Sequence, residues 1–156
     1  MQHDDLIWTI INNEFCSYKS KLRLEKQTFC RNPYSLTGLC NKRTCPLANS
    51  RYATLREEKG EIFLCMKTIE RAHTPRKLWE KVKLPKNYEA SIKVIDKELQ
   101  YWPSFIIHKT KQRLTRMHEV LKRMRKLRTK VTPELEIVQK KTEKREAVRE
   151  KKAECC

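Results

Sequence analysis

The chain has 156 residues, with 36 Lys and Arg against 19 Asp and Glu, and its formal net charge of +17 predicts a polyanionic partner, most often a nucleic acid. Because Gly38 and Gly60 are the only glycines, a glycine-rich phosphate loop and a dinucleotide-binding fingerprint are excluded. No apolar run approaches the ~18 residues of a membrane span, and the acidic N-terminus is expected not to be a secretory signal.

The first fifty residues predict one helix followed by irregular structure. Acidic residues at the start of 4–14 suit a helix N-terminus, and the apolar residues of this stretch share one helical face. These apolar residues are Leu6, Ile7, Ile10 and Ile11. Residues 16–50 are predicted to be irregular, because Asn-Pro and Thr-Gly pairs favour turns.

The next fifty residues predict a β-hairpin and two helices. Strand-like residues at 52–55 and 62–66 flank a predicted turn at 57–60. A Thr-Pro pair favours a helix start, so a short helix is predicted over 76–82. Asn87 can cap a further helix whose apolar residues recur at helical spacing up to residue 102.

The longest predicted helix runs from Pro103 to about Lys130. Residues 102–133 contain ten basic residues and one acid, Glu119, so ion pairing along the helix cannot explain its charge. Its apolar residues fall within one arc, and they are Leu114, Met117, Val120, Leu121, Met124 and Leu127. Residues 134–156 mix both signs of charge, which predicts a charged tail that forms a long solvated helix or a partly ordered arm.

Four cysteines within about thirty residues predict a structural metal centre. Cys16, Cys30, Cys40 and Cys45 have the spacing C-x13-C-x9-C-x4-C, in a segment too polar to be held by its own apolar burial. Without an export signal, such cysteines favour metal binding over disulfides. Zinc and a [4Fe–4S] cluster are both consistent with the pattern, and buried free thiols are the alternative.

Residues typical of catalysis are not found in catalytic spacings. No HExxH motif, nucleophile motif or carboxylate pair accompanies the cysteines, and four-cysteine sites are closed and structural. The chain is therefore expected not to be an enzyme.

Three long segments resemble the maintenance-of-killer protein sixteen family. They are FCRNPYSLTGLCNKRTCPLANSRYATLREEKG, MKTIERAHTPRKLWEKVKLPKNYEASIKVID and YWPSFIIHKTKQRLTRM. The resemblance implies a nucleolar assembly factor of the large ribosomal subunit, with an N-terminal domain similar to that of a large-subunit ribosomal protein. It also implies that the four cysteines occupy recurring family positions. The implied partners are precursor ribosomal RNA, a Brix-domain assembly factor and neighbouring ribosomal proteins.

The predicted architecture is α+β: a small metal-stapled domain over 1–101 with a β-hairpin and packed helices, a long basic helix over 102–133 and a charged tail over 134–156. The first functional hypothesis is a non-enzymatic RNA-binding assembly factor. The alternative is a protein-interaction module in which the apolar face of the long helix binds a partner and RNA contact is incidental. The residues expected to contact RNA phosphates are Lys19, Lys21, Arg23, Lys42, Arg43, Lys111, Arg116, Lys122, Arg123 and Lys126.

Overall fold

The structure is a computed structural model that describes residues 2–21, 27–131 and 140–153. Its class is α+β, as predicted. The helices are α1 Gln2–Asn13, α2 Tyr88–Glu98, α3 Ser104–Thr129 and α4 Lys141–Ala153, and the strands are β1 Lys19–Lys21, β2 Thr28–Cys30, β3 Tyr52–Glu58, β4 Glu61–Lys67 and β5 Trp79–Lys83. Within the described ranges, no helix combines the length and the apolar character that crossing a bilayer requires.

The chain divides into two compact units, Met1–Arg125 and Lys126–Cys156. In the second unit, α4 has no buried residue, which agrees with the solvated helix expected in the tail. The rest of that predicted tail, 134–139 and 154–156, lies outside the described residues.

The predicted β-hairpin is confirmed and forms the centre of the first unit. Strands β3 and β4 pair antiparallel, with Leu55 opposite Leu64, and both leucines are fully buried. Lys59 and Gly60 form the two-residue turn with φ of 55° and 81°. A turn with two positive φ angles matches the twist of the flanking strands, and glycine adopts it without steric cost.

The helix predicted over 76–82 is wrong. A short 3-10 turn ends at Lys77, and Trp79–Lys83 is the edge strand β5, which pairs antiparallel with β4. Val82 lies opposite Leu64 and packs against the core, so pairing with the hairpin places this apolar side chain against the core. Two ion pairs of 2.6 Å also hold the strand, Lys81–Glu58 and Lys83–Glu61.

Helices α2 and α3 complete the core of the first unit. The Asn87 side chain caps α2, as predicted, by accepting a hydrogen bond from Glu89 N at 3.1 Å. Ile95 and Leu99 are fully buried, and α3 adds Leu114 and Leu121 to the same cluster. Residues 104–125 of α3 therefore belong to this unit.

The N-terminal helix predicted from the sequence is confirmed as α1, but most of its predicted apolar face is exposed. Leu6, Ile7 and Ile10 are exposed, whereas Trp8 and Ile11 line a cavity against the cysteine-bearing segment. Two acids also orient the helix. Asp4 accepts a hydrogen bond from Ser50, and Asp5 pairs with Lys42 at 2.5 Å.

Candidate nucleic-acid interface

Buried polar side chains hold the irregular segment 31–50 against the core. Tyr52, fully buried on β3, accepts a hydrogen bond from Leu36 N and donates one to Thr44 O, both at 2.8 Å. The buried ammonium of Lys67 donates to Pro46 O at 2.7 Å. Burial raises the pKa of Tyr52 and lowers the pKa of Lys67. Both side chains thus use their polar atoms inside the protein, on backbone groups of the segment.

Arg113 links this segment to the sheet and to α3. Its guanidinium donates to Leu55 O, Ser35 O and Leu36 O, each at 3.0 Å. Burial lowers the pKa of the guanidinium, and the three carbonyls compensate its lost hydration. The prediction of a metal-stapled domain is therefore not supported, because side chains of β3, β4 and α3 fasten the segment. The sequence feature that could have indicated this role of Arg113 is a basic residue that departs from the basic face of α3.

The four predicted metal ligands nevertheless lie around one cavity. Cys16, Cys30, Cys40 and Cys45 form no disulfide and line a space of about 10 Å³, which is room for about one water molecule. Burial is the main cause that raises the pKa of Cys40. Among residues 2–21, 27–131 and 140–153, no group of three or more ligating side chains is close enough to hold a metal ion. The arrangement does not fit a metal as it stands, so zinc or [4Fe–4S] binding stays a prediction.

If a metal binds, Cys40→Ser should lower the free energy of unfolding by more than ~3 kcal/mol, since metal binding to a structural site is folding free energy. Cys65→Ser is the matched control, because Cys65 is fully buried on β4, away from the cavity. It should cost about 1–3 kcal/mol for burying a hydroxyl. Element analysis of anaerobically purified protein measures zinc and iron directly. Folded protein free of both metals, with Cys40→Ser milder than Cys65→Ser, would leave free thiols as the answer.

Three of the predicted RNA-contacting lysines have partners within the chain. The Lys19 ammonium donates to Asn12 O at 3.1 Å and to Asn12 Oδ1 at 2.9 Å, where the end of α1 favours a positive charge. Lys42 pairs with Asp5, and Lys111 pairs with Asp96 at 2.5 Å. Part of the charge of each is therefore already compensated.

The remaining predicted RNA contacts that lie in the described ranges are exposed. In the first unit, Lys21, Arg43, Lys122 and Arg123 form no ion pair with a carboxylate of the described ranges. Arg116 is 81% exposed and lies 3.8 Å from Glu119. In the second unit, Lys126 is also exposed, whereas Arg23 lies outside the described residues. Lys122 and Arg123 on α3 are thus available to neutralise a polyanion.

A groove beside α3 was not predicted from the sequence. It has a volume of about 530 Å³ and lies between α3 and the loop at 36–44. On the helix side it is lined by Phe105, Lys109, Gln112, Arg113 and Arg116. Most of these positions are three or four residues apart, and this spacing on one helix face is the signal that could have identified them.

Comparison with known proteins gives two findings. The family described as the ribosomal L28e protein family matches residues 6–120. A Dictyostelium discoideum protein named "Protein MAK16 homolog" is 53% identical over 153 residues, which are 98% of this chain and 49% of that protein. A Schistosoma mansoni protein of the same name is 46% identical over 153 residues, 98% of this chain and 58% of that protein. The chain therefore spans about half the length of the curated relatives that it matches.

Proposed function

The chain belongs to the ribosomal L28e protein family, where its relatives are MAK16 homologs, and we propose that it is a non-enzymatic assembly factor of the large ribosomal subunit that binds precursor ribosomal RNA. The proposal places it in nucleolar pre-ribosomes. The partners that the resemblance implies, a Brix-domain assembly factor and neighbouring ribosomal proteins, are part of the same proposal.

One observation carries the RNA-binding part of this proposal. On the last turns of α3 in the first unit, Lys122 and Arg123 are exposed and have no carboxylate partner in the described ranges. Unpaired cations on a surface helix repel one another and lower stability unless a partner supplies negative charge. Lys21 and Arg43, near the cysteine cavity, add further exposed positive charge.

Such contacts determine where the protein sits on RNA but do not read its sequence. Phosphate contacts fix register and orientation, whereas RNA helices are recognised mostly by shape and by their backbone. Specificity would then come from RNA shape and from protein neighbours in the particle. The cations on α3 contribute affinity, and the hydrogen-bonded segment 31–50 contributes a rigid surface beside residues 105–116 of the same helix.

Affinity purification of the tagged chain from nuclear extract tests the proposal. Precursors of the large-subunit RNA should be recovered in excess over precursors of the small-subunit RNA. Recovery of both at equal levels, or of neither, would contradict a role in large-subunit assembly.

The alternative function, binding of a partner protein through α3, has support from a different observation. Val120 and Met124 are 54% and 42% exposed, although they are apolar and one turn apart. Leu114 and Leu121, from the same predicted stripe, are buried in the core of the chain and are not available to a partner. The predicted docking face therefore reduces to Val120 and Met124 in the first unit.

Changing both exposed apolar residues to serine separates the two functions. Val120→Ser with Met124→Ser should leave the fold and the RNA affinity unchanged, since neither side chain is in the core. If this variant alone is lost from pre-ribosomes, while charge reversal on the same helix is tolerated, the protein-interaction function replaces RNA binding.

A further inference from the structure

From the groove beside α3 we propose a binding site for one unpaired RNA nucleotide. This inference rests on the proposed RNA-binding function and adds a base-binding site to it. The groove lies wholly within the first unit, between α3 and the 36–44 loop. Its volume of about 530 Å³ falls in the range of about 300–1,000 Å³ that is usual for small-ligand sites.

The walls combine apolar surface with hydrogen-bonding groups. Leu36, Leu39 and Phe105 supply the apolar part, and Phe105 is half-buried against the core. Asn41 and Gln112 are exposed on opposite sides, one on the loop and one on α3. An unstacked base is recognised by an aromatic face together with hydrogen bonds to its edges. The groove offers both kinds of contact.

The charge of the rim selects an anionic ligand. Lys109 and Arg116 lie on the helix side, and among the described residues no carboxylate lines the groove. The Lys109 ammonium is held by Gln112 Oε1 at 3.0 Å. Arg113 also faces the groove, but its guanidinium is used by three backbone carbonyls. Arg116, whose carboxylate contact with Glu119 is 3.8 Å long, and the remaining N–H donors of Lys109 can contact the phosphates on either side of a bound base.

The loop side of the groove is held in place. The Asn41 side chain accepts a hydrogen bond from Thr44 N at 3.0 Å, and the Thr44 hydroxyl donates to Leu39 O at 2.9 Å. Leu36 N is fixed by the Tyr52 hydroxyl. Because the wall is already ordered, binding a base there costs little conformational entropy.

Two single-stranded probes of about twelve residues test the groove by fluorescence anisotropy, an oligouridylate and a ribose-phosphate chain of equal length without bases. The wild-type chain should bind the oligouridylate about tenfold more tightly, because stacking of a base on an aromatic ring contributes ~1–3 kcal/mol. Phe105→Leu keeps an apolar side chain and should reduce that ratio to about one. Lys93→Ala, a loss of charge on the exposed face of α2, should preserve the ratio.

A second pair of variants does not touch the core. Gln112→Glu should weaken oligouridylate binding about fivefold, since its carboxylate opposes one phosphate contact. Gln100→Glu makes the same charge change on an exposed residue that does not line the groove, and it should have a much smaller effect. Equal wild-type affinity for the two probes, or equal effects of the two glutamates, would overturn the nucleotide site while RNA binding stands. Failure of the wild-type chain to bind either probe would overturn the proposed function as well.

Discussion

Replacing Arg113 with methionine should lower the free energy of unfolding by about 3 kcal/mol or more. The guanidinium donates to three backbone carbonyls, and methionine leaves these acceptors without their donor. Each buried polar group left unsatisfied costs ~1–3 kcal/mol. Relief from desolvation of the arginine offsets part of this loss. Urea denaturation followed by circular dichroism measures the change.

The matched control is Arg116→Met, one turn further along α3. Arg116 is 81% exposed and its nearest carboxylate contact is 3.8 Å long, so this change should stay within about 0.5 kcal/mol. Arg113→Lys should give an intermediate loss, because an ammonium cannot reproduce the planar fork of a guanidinium. Equal stability of the two methionine variants would show that Arg113 does not hold the segment.

Reversing two charges on α3, Lys122→Glu with Arg123→Glu, should lower RNA affinity about thirtyfold at about 150 mM salt. Each neutralised phosphate contributes a slope of ~0.9 to the dependence of log affinity on log salt. Losing two contacts should therefore also lower that slope by about two. Electrophoretic mobility shift or anisotropy titrations with a fragment of large-subunit precursor RNA measure both quantities.

Lys93→Glu with Lys97→Glu makes the same change in net charge on α2. Both lysines are exposed, so this control separates a local contact from the general effect of charge. It should weaken binding only a few-fold and leave the slope nearly unchanged, because it removes no proposed contact. An equal loss in both double variants would mean that α3 is not the RNA-binding surface.

Local signals predicted much of the fold. The hairpin follows from strand-forming residues on both sides of the turn that contains Lys59-Gly60, and α2 follows from the Asn87 cap, both of which act between near neighbours in the chain. Strand β5 was mistaken for a helix, because the Thr74-Pro75 pair favours a helix start, whereas only a short 3-10 turn follows it. Pairing with β4, a nonlocal interaction, decided the outcome.

The parts of the site that depend on distant contacts could not be predicted. Arg113 donates to carbonyls that lie 58 to 78 residues earlier in the chain. The helical periodicity of α3 shows only that this basic residue departs from the basic face of the helix. The contacts of α1 could not be predicted for a similar reason, since Trp8 and Ile11 are half-buried beside the cysteine segment and Leu6 is exposed. The amino-acid composition did indicate that positive charge is concentrated in residues 102–133, because counting charged residues does not depend on the fold.

The salt dependence of RNA affinity tests most directly whether this chain binds RNA through exposed cations. With six to ten phosphate contacts, the affinity of the wild-type chain for precursor RNA should fall by about 10³ to 10⁵ between about 50 and 200 mM salt. An affinity that is unchanged over this range, or no binding even at the lowest salt, would contradict the account.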